Sequence, residues 1–305
     1  MMQHRLSQLT AGLLCAMFLS VAAQEAKKEE KFGWTKTMVG ALNLTQNRYS
    51  SNWTKGGENS VAWKGVAETM WENNAVKTNW KNTGKLVFGQ VKQGDQGVRK
   101  SDDELNVESV LTYKVGQSLN PYVSFNGLTQ IASGFEYPSD STRTKVSSAF
   151  SPIFMRQSLG LGYKPNDKFV TRLGISIKET IVSQDENLKE VFLEGTRVFK
   201  TLPQTFRGRY GNDPNETVRV ETGIESTTDL SLKLAENLLF KSKLELFSSF
   251  ENFNTADVAW DNTLTAKISK YFSVNFNVYA FYDEDILTEV QVKQALAFGL
   301  TYTFF

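Results

Sequence analysis

From residue 37 onward, apolar and polar side chains alternate with period two almost throughout. That is the pattern of strands whose successive side chains point to opposite faces. In the stretch 104–115, Leu105, Val107, Leu111, Tyr113 and Val115 fall on one face, interrupted by Ser109; Glu104, Asn106, Glu108, Thr112 and Lys114 fall on the other, interrupted by Val110. The alternation predicts about twelve strands, at 37–48, 60–72, 78–91, 104–115, 121–132, 150–163, 168–181, 217–233, 238–250, 259–269, 272–282 and 291–304. Most are about twice the globular mean length, and a tilted strand needs roughly 9–11 residues to cross a bilayer.

The connections alternate as well. Those at 73–77, 116–120, 164–167, 235–237 and 270–271 are short; those at 49–59, 92–103, 133–149, 182–216, 251–258 and 283–290 are longer and more polar. Short turns at one end and long loops at the other are the arrangement of an outer-membrane barrel, with periplasmic turns and extracellular loops. The expected fold class is therefore all-β: one closed antiparallel transmembrane β-barrel of about twelve strands over 37–305. The assigned registers put Val61, Trp63, Leu86, Phe88, Leu173, Ile175, Ile177, Leu244, Phe276, Leu296, Phe298 and Leu300 outward. Trp71, Trp80, Tyr113, Tyr163, Phe169, Tyr302 and Phe304 gather at the short-turn end, as an interfacial aromatic girdle requires. The chain ends on an aromatic strand, the kind of signal that barrel-assembly machinery reads, with the outward register falling on Phe304 rather than on the last residue.

Composition sharpens this. Lys+Arg total 34 and Asp+Glu 33 in 305 residues, so nothing advertises nucleic acid as a partner. The mean hydropathy of -0.34 excludes a bundle of membrane helices. Six prolines and 21 phenylalanines suit long, rarely broken strands. Residues 1–24 read as a signal peptide: Arg5 precedes an apolar run over 9–23, with Ser20 and Ala22 as small residues at the cleavage site. Leu14 stands before Cys15 where a lipidation motif wants a small residue. The charged stretch 25–36 reads as a periplasmic tether. Loss of the signal removes Cys15 and His4, leaving no cysteine and no histidine. Thiol and histidine chemistry go together with them, and no catalytic residue, cofactor or metal ligand set is assigned. Glu104/Glu108 and Glu221/Glu225 each stand about 13 Å apart along a strand, beyond the roughly 5–9.5 Å of a glycosidase pair. The chain is not expected to be an enzyme.

Four short motifs follow one another: Asn52-Trp53-Thr54-Lys55-Gly56-Gly57-Glu58-Asn59, then Arg99-Lys100-Ser101-Asp102-Asp103, then Phe150-Ser151-Pro152 with Gly160-Leu161-Gly162-Tyr163-Lys164-Pro165, and Tyr282-Asp283-Glu284-Asp285-Ile286. In that order they resemble an uncharacterised family of outer-membrane β-barrel proteins from Bacteroidota-type bacteria. The resemblance implies the same fold and a Gram-negative outer-membrane location, and no assigned activity. It singles out Trp53, Gly56, Gly57, Arg99, Lys100, Asp102 and Asp103 as loop-signature residues.

The candidate chemistry lies on the inward face. Lys64, Glu68, Lys85, Glu104, Glu108, Arg172, Arg219, Glu221, Glu225 and Lys243 are the lumen-lining candidates, with both signs interspersed. One reading is a passive pore for small polar solutes; the alternative is a salt-bridged, non-conducting barrel that stabilises the envelope or binds a partner through its long loops. Twelve strands lie between barrels filled by side chains and those with a wide channel. In the fourth long loop, Ser183 to Glu186 fits a capping box, and Leu188, Val191, Phe192 and Phe199 recur at roughly helical spacing, so a short helix is expected near 185–199. Acidic clusters at Asp95, Asp102 and Asp103 and at 283–285 match no cation-loop spacing and read as solvated charge. Tyr49, Trp53, Phe135 and Tyr137 are expected to pack at the loop rim or to stack on a sugar. The expected surroundings are outer-membrane lipid, the assembly machinery during insertion, and a small polar solute.

Overall fold

The computed structural model describes residues 31–305 apart from 53, 55, 56, 140, 141, 184–187, 194, 195, 202–206 and 214. The signal segment and most of the tether lie outside the described residues.

Each predicted strand has a counterpart: β1 (Gly33–Asn47), β2 (Ser60–Asn74), β3 (Thr78–Gln93), β4 (Arg99–Tyr113), β5 (Leu119–Thr129), β8 (Ile153–Tyr163), β9 (Phe169–Ile181), β12 (Val218–Ala235), β13 (Leu238–Ser249), β14 (Asp257–Lys267), β15 (Phe272–Asp283) and β16 (Leu287–Thr303). They close into one antiparallel barrel in the order β1-β16-β15-β14-β13-β12-β9-β8-β5-β4-β3-β2. Four more strands, β6 (Gly134–Ser139), β7 (Thr142–Ser147), β10 (Leu188–Leu193) and β11 (Thr196–Thr201), make a separate sheet ordered β11-β10-β7-β6. It is built from the third and fourth long connections, at the end of the barrel opposite the short turns.

Two expectations are corrected here. The helix near 185–199 is replaced by the β10–β11 hairpin, paired from Leu188 opposite Thr201 to Leu193 opposite Thr196. β10 also pairs with β7, which joins two loops far apart in sequence. The apolar spacing that suggested a helix is shared by short strands, and a cross-loop partner is invisible to local pattern. Second, Arg99, Lys100, Asp102 and Asp103 are not loop residues. They open β4 and pair back to β3 across a bulge between Gly89 and Gln90. Phe135 and Tyr137 likewise stand on β6.

The barrel is inside out relative to a soluble domain. The buried apolar side chains among the described residues are Val87, Tyr122, Val182 and Phe247, whereas Arg172, Lys178, Glu221, Glu225, Ser176 and Thr227 are all buried. The apolar residues lie outside: Leu173 is 59% exposed, Ile175 63% and Leu296 75%. In water, at roughly 25 cal/mol per Å² of apolar surface, such a belt would be strongly unfavourable; in hydrocarbon it is the matching surface. Aromatic rings band the short-turn end. Trp34 and Trp80 rings lie 6.1 Å apart, and Tyr302 and Phe304 meet edge-on at 5.0 Å. The Trp80 indole donates to Ser109 Oγ at 2.9 Å and the Trp71 indole to Thr69 Oγ1 at 2.9 Å, so each amphipathic ring keeps a polar partner.

Candidate functional site: the charged lumen

Side chains directly opposite one another across a ladder share a face, so register fixes what lines the interior. Lys64 sits opposite Asn43 and Gly89, and Glu68 opposite Lys85. Glu104 faces the interior beside buried Val87, and Glu108 opposite Asn126. Arg172 stands opposite Gly162 and Thr227; Glu221 opposite Lys178; Glu225 opposite Gly174 and Phe247; Lys243 opposite Asp229 and Asp261. Arg219 shares this face, two residues before Glu221.

The side chains do more than line the wall; they bridge it. At mid-depth the Glu108 carboxylate on β4 accepts a hydrogen bond from Arg172 on β9 at 2.6 Å and one from Lys243 on β13 at 3.2 Å. Lys243 also meets Glu245 at 3.3 Å. On the other side of the interior Lys85 of β3 pairs with Glu104 at 3.1 Å and reaches Asp261 of β14 at 3.7 Å. Lys293 of β16 reaches Asp102 of β4 at 2.5 Å. The contacts of Glu108 with Arg172 and Lys243, of Lys85 with Asp261 and of Lys293 with Asp102 link strands that are not wall neighbours.

Nearer the long-loop end Lys178 is surrounded by acids. Its ammonium lies 2.6 Å from Asp257, 3.0 Å from Asp283 and 3.4 Å from Glu221. Arg219 joins Glu221 at 3.1 Å and Asp285 at 2.6 Å. Arg156 pairs with Glu225 at 3.4 Å, and Glu225 also accepts from Ser176 at 3.1 Å. Tyr122 is buried in this wall, its hydroxyl 2.8 Å from Ser158 Oγ. It fits because Gly174 leaves room: a Cβ there would stand 2.8 Å from the Tyr122 hydroxyl and 2.5 Å from the Leu159 carbonyl.

Across the interior from this packed half, the wall made by β16 and β1 is small. Ala41, Ala295 and Ala297 face inward and stay half-buried despite their size. The large charged side chains of that half therefore stand away from the β1–β16 side, where Ala41, Ala295 and Ala297 line the wall.

The mouth at the long-loop end carries a cap. The short 3-10 turn Gly208–Tyr210 ends on Gly211 in the left-handed conformation, φ 80°. The Tyr210 hydroxyl donates to the Val146 carbonyl at 2.6 Å, and its ring meets Phe154 edge-on at 6.2 Å. Burial pushes the Tyr210 hydroxyl up to about 12. Asn212, only 3% exposed, donates to the Thr180 carbonyl at 3.0 Å. Arg219 donates to the Gly211 carbonyl at 3.3 Å, which ties the cap to the charged lumen. Arg209 clasps Glu136 of β6 at 2.6 and 3.4 Å, which ties it to the outer sheet.

The signature residues on β4 have assignable physical work. Asp103 accepts backbone N–H bonds from Ile131 and Ala132, both at 2.8 Å. Lys100 lies 2.8 Å from Asp103 and donates to the Ala132 carbonyl at 2.8 Å. Together they pin the start of the third long connection to the wall. Arg99 lies over the Tyr137 ring at 4.2 Å. Gly57 holds φ 129° close under the Tyr49 ring, a position where any Cβ would collide. Trp53 and Gly56 lie outside the described residues.

Sequence reasoning missed Asp257, Asp283 and Tyr122 as interior residues, together with the cap at 207–212. The two aspartates sit at strand ends that the alternation placed one or two residues short. Tyr122 reads as an ordinary aromatic strand residue until register turns it inward.

A closed antiparallel barrel with an apolar exterior, an aromatic band and a charged interior defines the class: a β-barrel of the outer-membrane type. Residues 44–135 match the model of a family described as a protein of unknown function, DUF3078. No curated protein matches the chain. Among solved structures it is similar to the translocator domain of the autotransporter NalP from Neisseria meningitidis, at TM-score 0.40 and 9% identity over 97% of each chain. It is also similar to an outer membrane channel from Pseudomonas putida F1, at TM-score 0.39 and 10% identity over 92% of this chain and 98% of that one. A third similarity is to the NanC porin, at TM-score 0.36 and 6% identity over 88% and 98%. No functional statement follows from likenesses this distant.

Proposed function

We propose that this is an outer-membrane barrel, exported by the signal at 1–24, that passes small polar solutes through a narrow lumen of mixed charge. The observation that supports this reading is Glu108 held between Arg172 and Lys243, charged groups on separated strands. A barrel serving only as an anchor has no need of buried ions at mid-depth, where their desolvation is costly. A polar constriction beside a wall of Ala41, Ala295 and Ala297 gives a water-lined path in which charge sets selectivity. The long-loop end is the extracellular mouth in this orientation, and the aromatic C-terminal strand is the element offered to the assembly machinery. The test is single-channel conductance of the refolded mature chain in a planar bilayer, beside Arg172→Glu. Stepwise currents that turn more cation-selective in the variant are expected. Silence from a folded, heat-modifiable barrel would overturn the pore.

The cap and the outer sheet favour a second reading, a non-conducting barrel acting through its extracellular face. Deleting 207–212 separates the two. A pore then conducts more, whereas a sealed scaffold stays silent because the ion pairs below still bridge the interior.

A further inference from the structure

The wall is not equally closed all round. β1 pairs with β2 along its whole length, from Gly33 opposite Asn74 to Asn47 opposite Ser60. Its other edge pairs with β16 only from Val39 opposite Thr303 to Asn43 opposite Gly299, extended at the chain end by Phe304 and Phe305 bonding to Met38. Above that rung no ladder joins Leu44 and Thr45 to Phe298 and Ala297. On its far side β16 continues pairing with β15 from Leu300 opposite Phe272 to Leu287 opposite Asp283. Its free edge is therefore a real strand edge, not a frayed end. Leu44 and Phe298 stand on the outward side of this missing rung, within the exposed apolar belt. At the last rung Asn43 Oδ1 is buried without a hydrogen-bond partner.

An unpaired strand edge cannot face hydrocarbon, because no water is there to satisfy its N–H and C=O groups; it is tolerated where it lines a water-filled cavity. On the inward side the edge is flanked by the small residues Ala295 and Ala297, which leave room beside it for lumen water. Outside, at the foot of the same seam, a groove of about 610 Å³ is floored by Gly40, Gly65 and Ala67 and walled by Trp63, Phe88 and Phe304. Inside, Lys64 of β2 and Lys293 of β16 flank the seam, with Asp102 the acid between them. An apolar groove outside and the lysines Lys64 and Lys293 inside are complementary to one molecular shape: a head of negative charge on a single hydrocarbon chain.

We propose that the β1–β16 seam above Asn43 and Gly299 is a lateral opening that admits a single-chain anionic amphiphile between lumen and outer leaflet. This stands apart from polar-solute conduction, and either could hold without the other. The mature chain carries no cysteine, so Cys15→Ser in the full chain gives a clean background. In proteoliposomes, Thr45→Cys/Ala297→Cys is compared with Ala41→Cys/Thr301→Cys, whose residues are ladder partners. The control pair should oxidise readily and the seam pair several-fold more slowly. Equal rates would overturn the opening. Separately, bimane is placed on Ala297→Cys or on Ala259→Cys, which is laddered on both sides. Dibromostearate should quench the Ala297 label several-fold more than the Ala259 label. That excess should shrink with Lys64→Gln/Lys293→Gln. Equal quenching of both labels, or quenching by brominated phosphatidylcholine as strong as by dibromostearate, would overturn the amphiphile as occupant.

Discussion

Glu108 and Lys243 meet at 3.2 Å although β5, β8, β9 and β12 stand between their strands around the wall. The contact spans the interior, and Arg172 shares the same carboxylate. Glu108→Gln should therefore leave two cations facing the passage without their acid. The expected outcome is a shift of ion selectivity toward anions, together with a lower denaturation midpoint. Losing one member of a buried pair costs up to about 3–5 kcal/mol, less where water reaches it. Reversal potentials in a salt gradient check the first part. An unchanged reversal potential in a conducting barrel would place the constriction elsewhere.

Lys178 is the keystone of the upper cluster, touching Asp257, Asp283 and Glu221 from three separate strands. Lys178→Met keeps the stem and removes the charge, so the carboxylates are left to repel one another. The folded barrel should lose more stability than from any single carboxylate-to-amide change in the cluster. Urea titration in lipid vesicles, followed by tryptophan fluorescence, measures this. A midpoint within error of the parent chain would show that solvent already screens the cluster.

The barrel was legible because membrane strands impose a strict two-residue period and a polarity on it. Leu105 through Tyr113 needed no partner to reveal which face is wet. Residues that the alternation turned inward, such as Arg172 and Glu221, follow from the same arithmetic. Which of them touch does not. The Glu108–Lys243 contact depends on strand order and stagger around a closed wall, and neither is encoded locally. The outer sheet was illegible for a related reason. β10 and β7 are each too short to stand out, and each is stabilised by a partner from another loop. The role of Lys100 and Asp103 was hidden because their charge pattern resembles a solvated loop until Ile131 and Ala132 arrive to use it.

Gly174 makes Tyr122 possible. A methyl group there would push against the Tyr122 hydroxyl and the Leu159 carbonyl at 2.8 and 2.5 Å. Gly174→Ala should break the Tyr122–Ser158 hydrogen bond and destabilise the barrel by about 1–3 kcal/mol, the usual range for overpacking. Tyr122→Phe removes the hydroxyl and leaves the ring, so it should lose only about 1 kcal/mol. The double variant should be less destabilised than the sum, because the clash partner has gone. Strict additivity of the two would mean that the alanine strains the backbone rather than the tyrosine.

The cap offers a test by pH. Tyr210 donates its proton to the Val146 carbonyl, and burial raises its hydroxyl to about 12, against about 10 for a free tyrosine. The docked cap therefore favours the protonated form. Its contribution is complete below the free value and is lost as pH climbs from about 10 toward 12, because the undocked tyrosine ionises first. The protection of the 207–212 amides, with their exchange corrected for its own base catalysis, should stay constant from neutral pH to about 9 and fall steeply above about 10. Tyr210→Phe keeps the ring against Phe154 and removes the ionisable group. Its cap should open more readily at neutral pH and show no added loss of protection between about 10 and 12. If wild type and Tyr210→Phe open in parallel across that window, the alkaline opening arises elsewhere.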